Sequence, residues 1–177
     1  MEDDRPSPPN DERLGAWSVF ADRLELLGGE GVITGTVVCA AAIAYGAAHL
    51  ESATQLSLAI FGTVFVYWLA HLHAQTLGAS MTHGRHPLAA LRVALAETWP
   101  IAGVSVLPVL VLLGAELAGA ELRTAAWLAL IVTIVLLTGY SYLAGVRSGL
   151  SPWGRAASAA VGAAIGILVA VLKAALH

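Results

Sequence analysis

The chain alternates long apolar runs with short polar or glycine-rich breaks. Each run is close to the roughly 20 residues that a helix needs to cross a bilayer, and none shows the two-residue alternation of a barrel strand. Because backbone polar groups must be satisfied inside lipid, the pattern predicts an all-α, polytopic membrane helix bundle with five transmembrane helices. The predicted spans lie at about 32–49, 54–76, 98–118, 124–145 and 156–175.

The third run contains Pro100 and Pro108. Each proline removes a backbone hydrogen bond and tends to bend a helix. Pro87 suits the first turn of a helix, where its missing N–H costs nothing. We therefore expect an amphipathic segment at 87–98 that leads into a crossing kinked at the two prolines. A re-entrant segment is the alternative.

The first 29 residues have a different pattern. Residues 1–10 are acidic and proline-rich, which predicts a disordered tail. Between Leu14 and Leu27 apolar residues recur at helical spacing, so 11–29 is predicted to be an amphipathic helix on the cytoplasmic interface. The transmembrane bundle then occupies 30–177.

Composition excludes a soluble domain. Hydrophobic residues make up 58% of the chain, charged residues only 12%, and the mean hydropathy is +0.76. Soluble domains carry about a quarter charged residues. The positive-inside bias predicts a multi-pass protein of the cell membrane with a cytoplasmic N-terminus and an external C-terminus. That orientation puts Arg5, Arg13, Arg23, Arg85, Arg92, Arg147 and Arg155 inside, against Arg123 and Lys173 outside.

Two histidines, His71 and His73, close the second run. On a helix, residues two apart do not face each other, so this pair cannot chelate a metal together. The chain also has no cysteine pair and no His-x-x-x-His, and we expect neither metal nor cofactor. Steps of four instead define a polar stripe, which should face protein or water rather than lipid. The polar stripe consists of Thr63, Tyr67, His71 and Gln75.

Counted at 1.5 Å per residue from Thr54, His71 lies about 25 Å along the second helix, near the cytoplasmic boundary. Glu97 begins the third crossing at the same depth, and Tyr140 reaches it on the fourth. A carboxylate beside an imidazole can relay or gate protons near neutral pH. The alternative is a hydrogen-bonded cluster that only fixes helix packing. The candidate pathway is His71, Glu97, Tyr67, Thr63, Gln75, Thr98, Tyr140 and Ser141.

Small residues at steps of four mark two further helix faces. Such ridges let membrane helices approach closely. They serve packing within the chain, or else homodimerisation or docking on a larger complex. The ridges are Ser158, Gly162 and Gly166 in the fifth span, and Gly31 and Gly35 in the first.

The stretches "VYWLAHLHAQTLG", "ALAETWPIAG" and "VAVLKAALH" resemble small multi-pass membrane proteins of high-GC Gram-positive bacteria. The alanine-rich composition, with eight arginines against one lysine, agrees with that source. The resemblance covers most of 14–177. It implies no activity and no role for any residue.

Two functions fit these patterns. The first is an oligomeric channel or transporter for protons or small ions or solutes, with the inner-leaflet cluster of His71, Glu97 and Tyr67 as its pathway. The second is a non-catalytic accessory or scaffold subunit of a membrane complex. We find no Ser/His/Asp arrangement and no phosphate loop, so we do not expect an enzyme. The expected partners are the lipid bilayer, further copies of the chain or a larger membrane complex, and not nucleic acid.

Overall fold

The computed structural model describes residues 29–83 and 87–175, with side chains described at 29–78 and 91–175. This part of the chain is helical and contains no strand. Its helices are α1 (Glu30–His49), α2 (Ala53–His83), α3 (Pro87–Gly103), α4 (Val106–Leu117), α5 (Leu122–Arg147) and α6 (Pro152–Ala175).

Five segments are long and apolar enough to cross a membrane: Glu30–His49, Ala53–Gly78, Leu91–Leu117, Leu122–Arg147 and Pro152–Ala175. The predicted all-α bundle of five spans is confirmed. The tail at 1–10 and almost all of the interfacial helix at 11–29 fall outside the described residues.

The third span is one crossing length made of two helices. α3 carries Pro100 in its interior, and the break comes later, between Gly103 and Val106. The carbonyl of Val104 is the group that residue 108 would bond in a regular helix, and Pro108 has no N–H to donate. The Val104 N–H turns back to the Ile101 carbonyl at 3.3 Å. The helix is therefore interrupted in the turn just before Pro108, and the 27 residues of Leu91–Leu117 suffice for a crossing.

α1 is the central helix of the bundle. It packs against α2, α3, α5 and α6. In the apolar segment of α1, 44% of the residues are buried. In that of α6, which lies at the edge of the bundle, 17% are buried. Aliphatic side chains from the surrounding helices fill the space around α1. Those with no more than 1% exposure include Leu56, Ile60 and Val64 from α2, Leu112 from α4 and Leu130 from α5.

Buried threonines add little polarity to this core. The hydroxyls of Thr36 and Thr133 donate to the carbonyls of Val32 and Ala129, four residues earlier, at 2.7 Å. A hydroxyl satisfied within its own helix needs no partner elsewhere. These threonines pack as small side chains of their own helices and do not line a polar path.

α5 and α6 meet through the small-residue ridge of α6. The Ser158 hydroxyl donates to the Ser141 carbonyl at 2.6 Å. A Cβ placed on Gly162 would overlap the Ser141 side chain, and one on Gly166 would lie 2.9 Å from Ile134 Cγ1. The helices are as close as the absence of these side chains allows. This ridge therefore packs within the chain.

The same substitution at two glycines should have opposite effects. Gly162→Ala should lower the free energy of unfolding by about 1–3 kcal/mol, because the added methyl overpacks the α5–α6 contact. Gly139→Ala is the matched control, since Gly139 is an exposed α5 glycine with nothing within 4 Å of the added Cβ. It should be neutral or stabilise by up to about 1 kcal/mol, because alanine favours helix. Unfolding of both variants in a detergent titration measures the difference, and equal effects would contradict the packing.

Candidate functional site

Three members of the polar stripe of α2, Tyr67, His71 and Gln75, form a continuous run of side-chain contacts. The rings of Tyr67 and His71 lie 5.9 Å apart between centroids and are tilted by 31°. Gln75 Nε2 is 3.5 Å from His71 Nε2, and because an amide nitrogen only donates, His71 accepts this bond in the tautomer that carries its proton on Nδ1. Residues four apart are neighbours on a helix, so these contacts follow from the spacing. His73, two residues on from His71, is exposed.

The stripe packs against the glycine ridge of α1. His71 Nε2 lies 3.0 Å from the position that a Cβ on Gly31 would take, and Tyr67 Cε1 lies 3.6 Å from the equivalent position on Gly35. Ile101 of α3 lies against both glycines, and a Cβ on Gly31 would overlap its Cδ1. The glycine ridge and two members of the stripe are therefore parts of one interface. A methyl group at Gly31 would require the end of the Ile101 side chain to move.

A hydrogen bond between α2 and α3 lies next to this interface. Trp68 Nε1 donates to Thr98 Oγ1 at 3.2 Å, and the Thr98 hydroxyl donates to the Ala94 carbonyl at 2.7 Å. A half-buried indole N–H needs an acceptor, which Thr98 supplies. Trp68 is not among the residues of the predicted pathway. The two partners are 30 residues apart, and no spacing rule pairs them.

Within the described residues, no hydrogen bond connects the Glu97 side chain to the polar stripe. Its side chain is exposed on α3, and the hydrogen-bonding partner of His71 is Gln75. Thr63 and Gln75 are also exposed, and the Thr63 hydroxyl donates to the Ala59 carbonyl at 2.7 Å. The candidate pathway therefore divides into residues packed against α1 or α3 and residues on the outer surface of the chain.

The two candidates on α5 lie elsewhere. Ser141 is buried beneath Gly162 and belongs to the α5–α6 interface. Tyr140 is half-buried and packs on the edge of the core. α2 makes its main contacts with α1, α3 and α4. Equal depth along two helices does not bring their side chains together when other helices fill the space between them.

Three cavities that described residues line have volumes of about 290, 400 and 380 Å³, and none of these three includes His71 or Glu97. Within the described chain, no three His, Cys, Asp or Glu side chains lie close enough together to hold a metal ion.

A scan against protein-family models, a search of curated proteins and a search of solved structures each found no match to this chain.

The Trp68–Thr98 bond should appear as coupling in a double-mutant cycle. Trp68→Phe and Thr98→Val, made singly and together, should give a coupling energy of about 0.6–1.7 kcal/mol, the range for hydrogen bonds between membrane helices. Unfolding in a detergent titration provides the measurement. Trp153→Phe is the control, because Trp153 is 87% exposed on α6. Its effect should add to that of Thr98→Val within about 0.5 kcal/mol. Equal coupling in both cycles would contradict the assignment.

Proposed function

We propose that this chain is a non-catalytic accessory or scaffold subunit, which binds partner helices of a membrane complex through its outer surface. Its five apolar helices are those of an integral, multi-pass membrane protein. The observation that carries the proposal is the close contact of Tyr67 and His71 with the glycines of α1. The Tyr67 and His71 rings, which belong to the candidate pathway, pack against α1 in this interface. The arginine bias supports a cytoplasmic N-terminus and an external C-terminus for such a subunit.

The composition of the core supports the same function. A conducting path through one chain needs polar groups around a continuous space. The centre of this bundle holds fully buried aliphatic side chains such as Ile43 and Ile60, and the hydroxyls of Thr36 and Thr133 are bonded within their own helices. This packing favours a rigid body over a conduit.

The outer surface offers groups for a partner. Glu97 is exposed within the third span. A carboxylate on a membrane helix is costly against lipid, so such residues usually face protein or water. We propose that Glu97 faces a partner helix that carries a basic or hydrogen-bond-donating side chain.

An oligomeric channel or transporter for protons or small ions or solutes is the second candidate. The observation in its favour is that Thr63, Gln75 and Glu97 are exposed on a single chain. In an oligomer, these groups would line a space between copies, and His71 would lie behind them. The two candidates differ in whether the protein carries flux by itself.

Assembly in native membranes tests the first proposal. Glu97→Gln should weaken association with the complex about tenfold or more, because a charge-assisted contact is lost. Glu116→Gln is the matched control, since Glu116 is an exposed carboxylate near the other end of the same span. Native gels and quantitative cross-linking on solubilised membranes report the fraction in complex. Equal assembly of both variants would contradict the role of Glu97.

Reconstitution tests the second candidate directly. The purified chain in liposomes should give no proton or cation flux above protein-free vesicles between about pH 5 and 8, the range in which histidine titrates. Flux that His71→Ala or Glu97→Gln abolishes, in vesicles with equal protein incorporation, would overturn the subunit proposal and establish the channel.

A further inference from the structure

Lys173 is buried at the end of α6, beside the end of α1. Its side chain is 4% exposed, and Nζ has no hydrogen-bond partner within the described chain. An ammonium group carries three donors and no acceptor. A buried charge is normally paired or hydrogen-bonded, because removing it from water without compensation is strongly unfavourable. The Lys173 ammonium is therefore positioned to bind an anionic or hydrogen-bond-accepting partner.

An aromatic ring orients the lysine without neutralising it. Nζ lies 4.7 Å from the centroid of the Trp127 ring on α5. A cation over an indole face is attracted by the ring quadrupole and keeps its full charge. The contact holds the ammonium at the α5–α6 boundary and leaves its hydrogen bonds unmade.

A second cation lines the same space. Arg123 lies one turn before Trp127 on α5, and the cavity that it shares with Lys173 has a volume of about 380 Å³. The rest of its lining is Ala47, Ala48, Trp127 and Ala174, with no carboxylate. Two like charges beside one cavity repel, and an anion between them removes the repulsion. The planar guanidinium suits a group with several oxygens, above all a phosphate.

An apolar groove continues from this charged cavity. A cavity of about 400 Å³ on the other side of Lys173 lies between α1 and α6. Alanines of α1 leave room along it, and aliphatic side chains of α6 form the opposite wall. Its lining is Ala41, Ala44, Tyr45, Ala48, His49, Val169, Leu172 and Lys173. A ligand that fits both spaces has an anionic head and a hydrocarbon tail.

We propose that this end of the bundle binds one anionic phospholipid, with its phosphate between Lys173 and Arg123 and an acyl chain in the α1–α6 groove. The two cations favour a lipid with net negative charge over a zwitterionic one, whose own cation they repel. The groove favours a lipid over a free phosphate. The site does not depend on the proposed subunit function, because it lies away from Glu97 and His71.

Lipid titration of the purified full chain in detergent tests the site. Phosphatidylglycerol should bind one to one in native mass spectrometry and raise the Tm. Phosphatidylcholine should bind about tenfold more weakly or worse, as expected for the loss of a charge-assisted contact. Soluble glycerol phosphate should not raise the Tm at the same concentration. Equal stabilisation by glycerol phosphate would show a free-anion site and overturn the lipid assignment.

Charge variants separate the site from general attraction to lipid. Lys173→Met should weaken phosphatidylglycerol binding about tenfold. It should leave the lipid-free Tm unchanged or higher, because an unpaired buried charge is replaced by an apolar side chain. Arg92→Gln removes an exposed cation from α3, away from the site, and should leave binding within about twofold. Unchanged affinity of the folded Lys173→Met variant would overturn the proposal.

A groove variant tests the tail without changing any charge. Ala44→Phe should fill the groove and weaken phosphatidylglycerol binding, because the acyl chain loses its space. Ala164→Phe on the exposed face of α6 is the control and should bind as the unaltered chain does. If Ala44→Phe also binds normally, no acyl chain occupies the groove, and the proposed lipid pose is wrong.

Discussion

The close approach that glycines of α1 allow is the constraint on which the rest of the bundle depends. In a bilayer the lipid tails are as apolar as the core, so helices associate through van der Waals packing and a few hydrogen bonds. Gly31 and Gly35 admit Ile101, and Gly46 admits Leu56, where in each case a Cβ would crowd or overlap the partner side chain. These glycines therefore bring α1 close to α2 and α3, and α1 also packs against α5 and α6. The peripheral helices then expose most of their surface.

The close packing of the helices also determines which contacts the polar side chains make. Tyr67 and His71 belong to the polar stripe, yet their rings pack against the glycines of α1. Hydrogen bonds between neighbouring helices include one from Trp68 to Thr98 and one from Ser158 to the Ser141 carbonyl. The buried hydroxyls of Thr36 and Thr133 bond within their own helices, whereas those of Ser57 and Ser105 have no hydrogen-bond partner within the described chain. The polar side chains that contact neighbouring helices therefore contribute mainly to helix packing.

Two ionisable side chains stand apart from that rule. Glu97 is exposed on α3, and Lys173 is buried without a hydrogen-bond partner in the described chain. Both lie on candidate membrane helices, where an uncompensated charge is unfavourable. The protein has few such groups, with 12% charged residues in all. These two positions lie far apart on the bundle, and they are the ones for which we propose a partner helix and a lipid headgroup.

The sequence by itself determined the five spans and the separation of His71 from His73. Hydropathy and helical periodicity are local, so both follow from residue order alone. Only the tertiary structure decided that Ser141 lies under α6, that Trp68 bonds Thr98 and that Lys173 is buried. Residue number sets the depth of a side chain along a helix axis. The direction in which it points, and what it meets there, depends on how every other helix packs, because helix rotation and neighbours are set by contacts between residues distant in the chain.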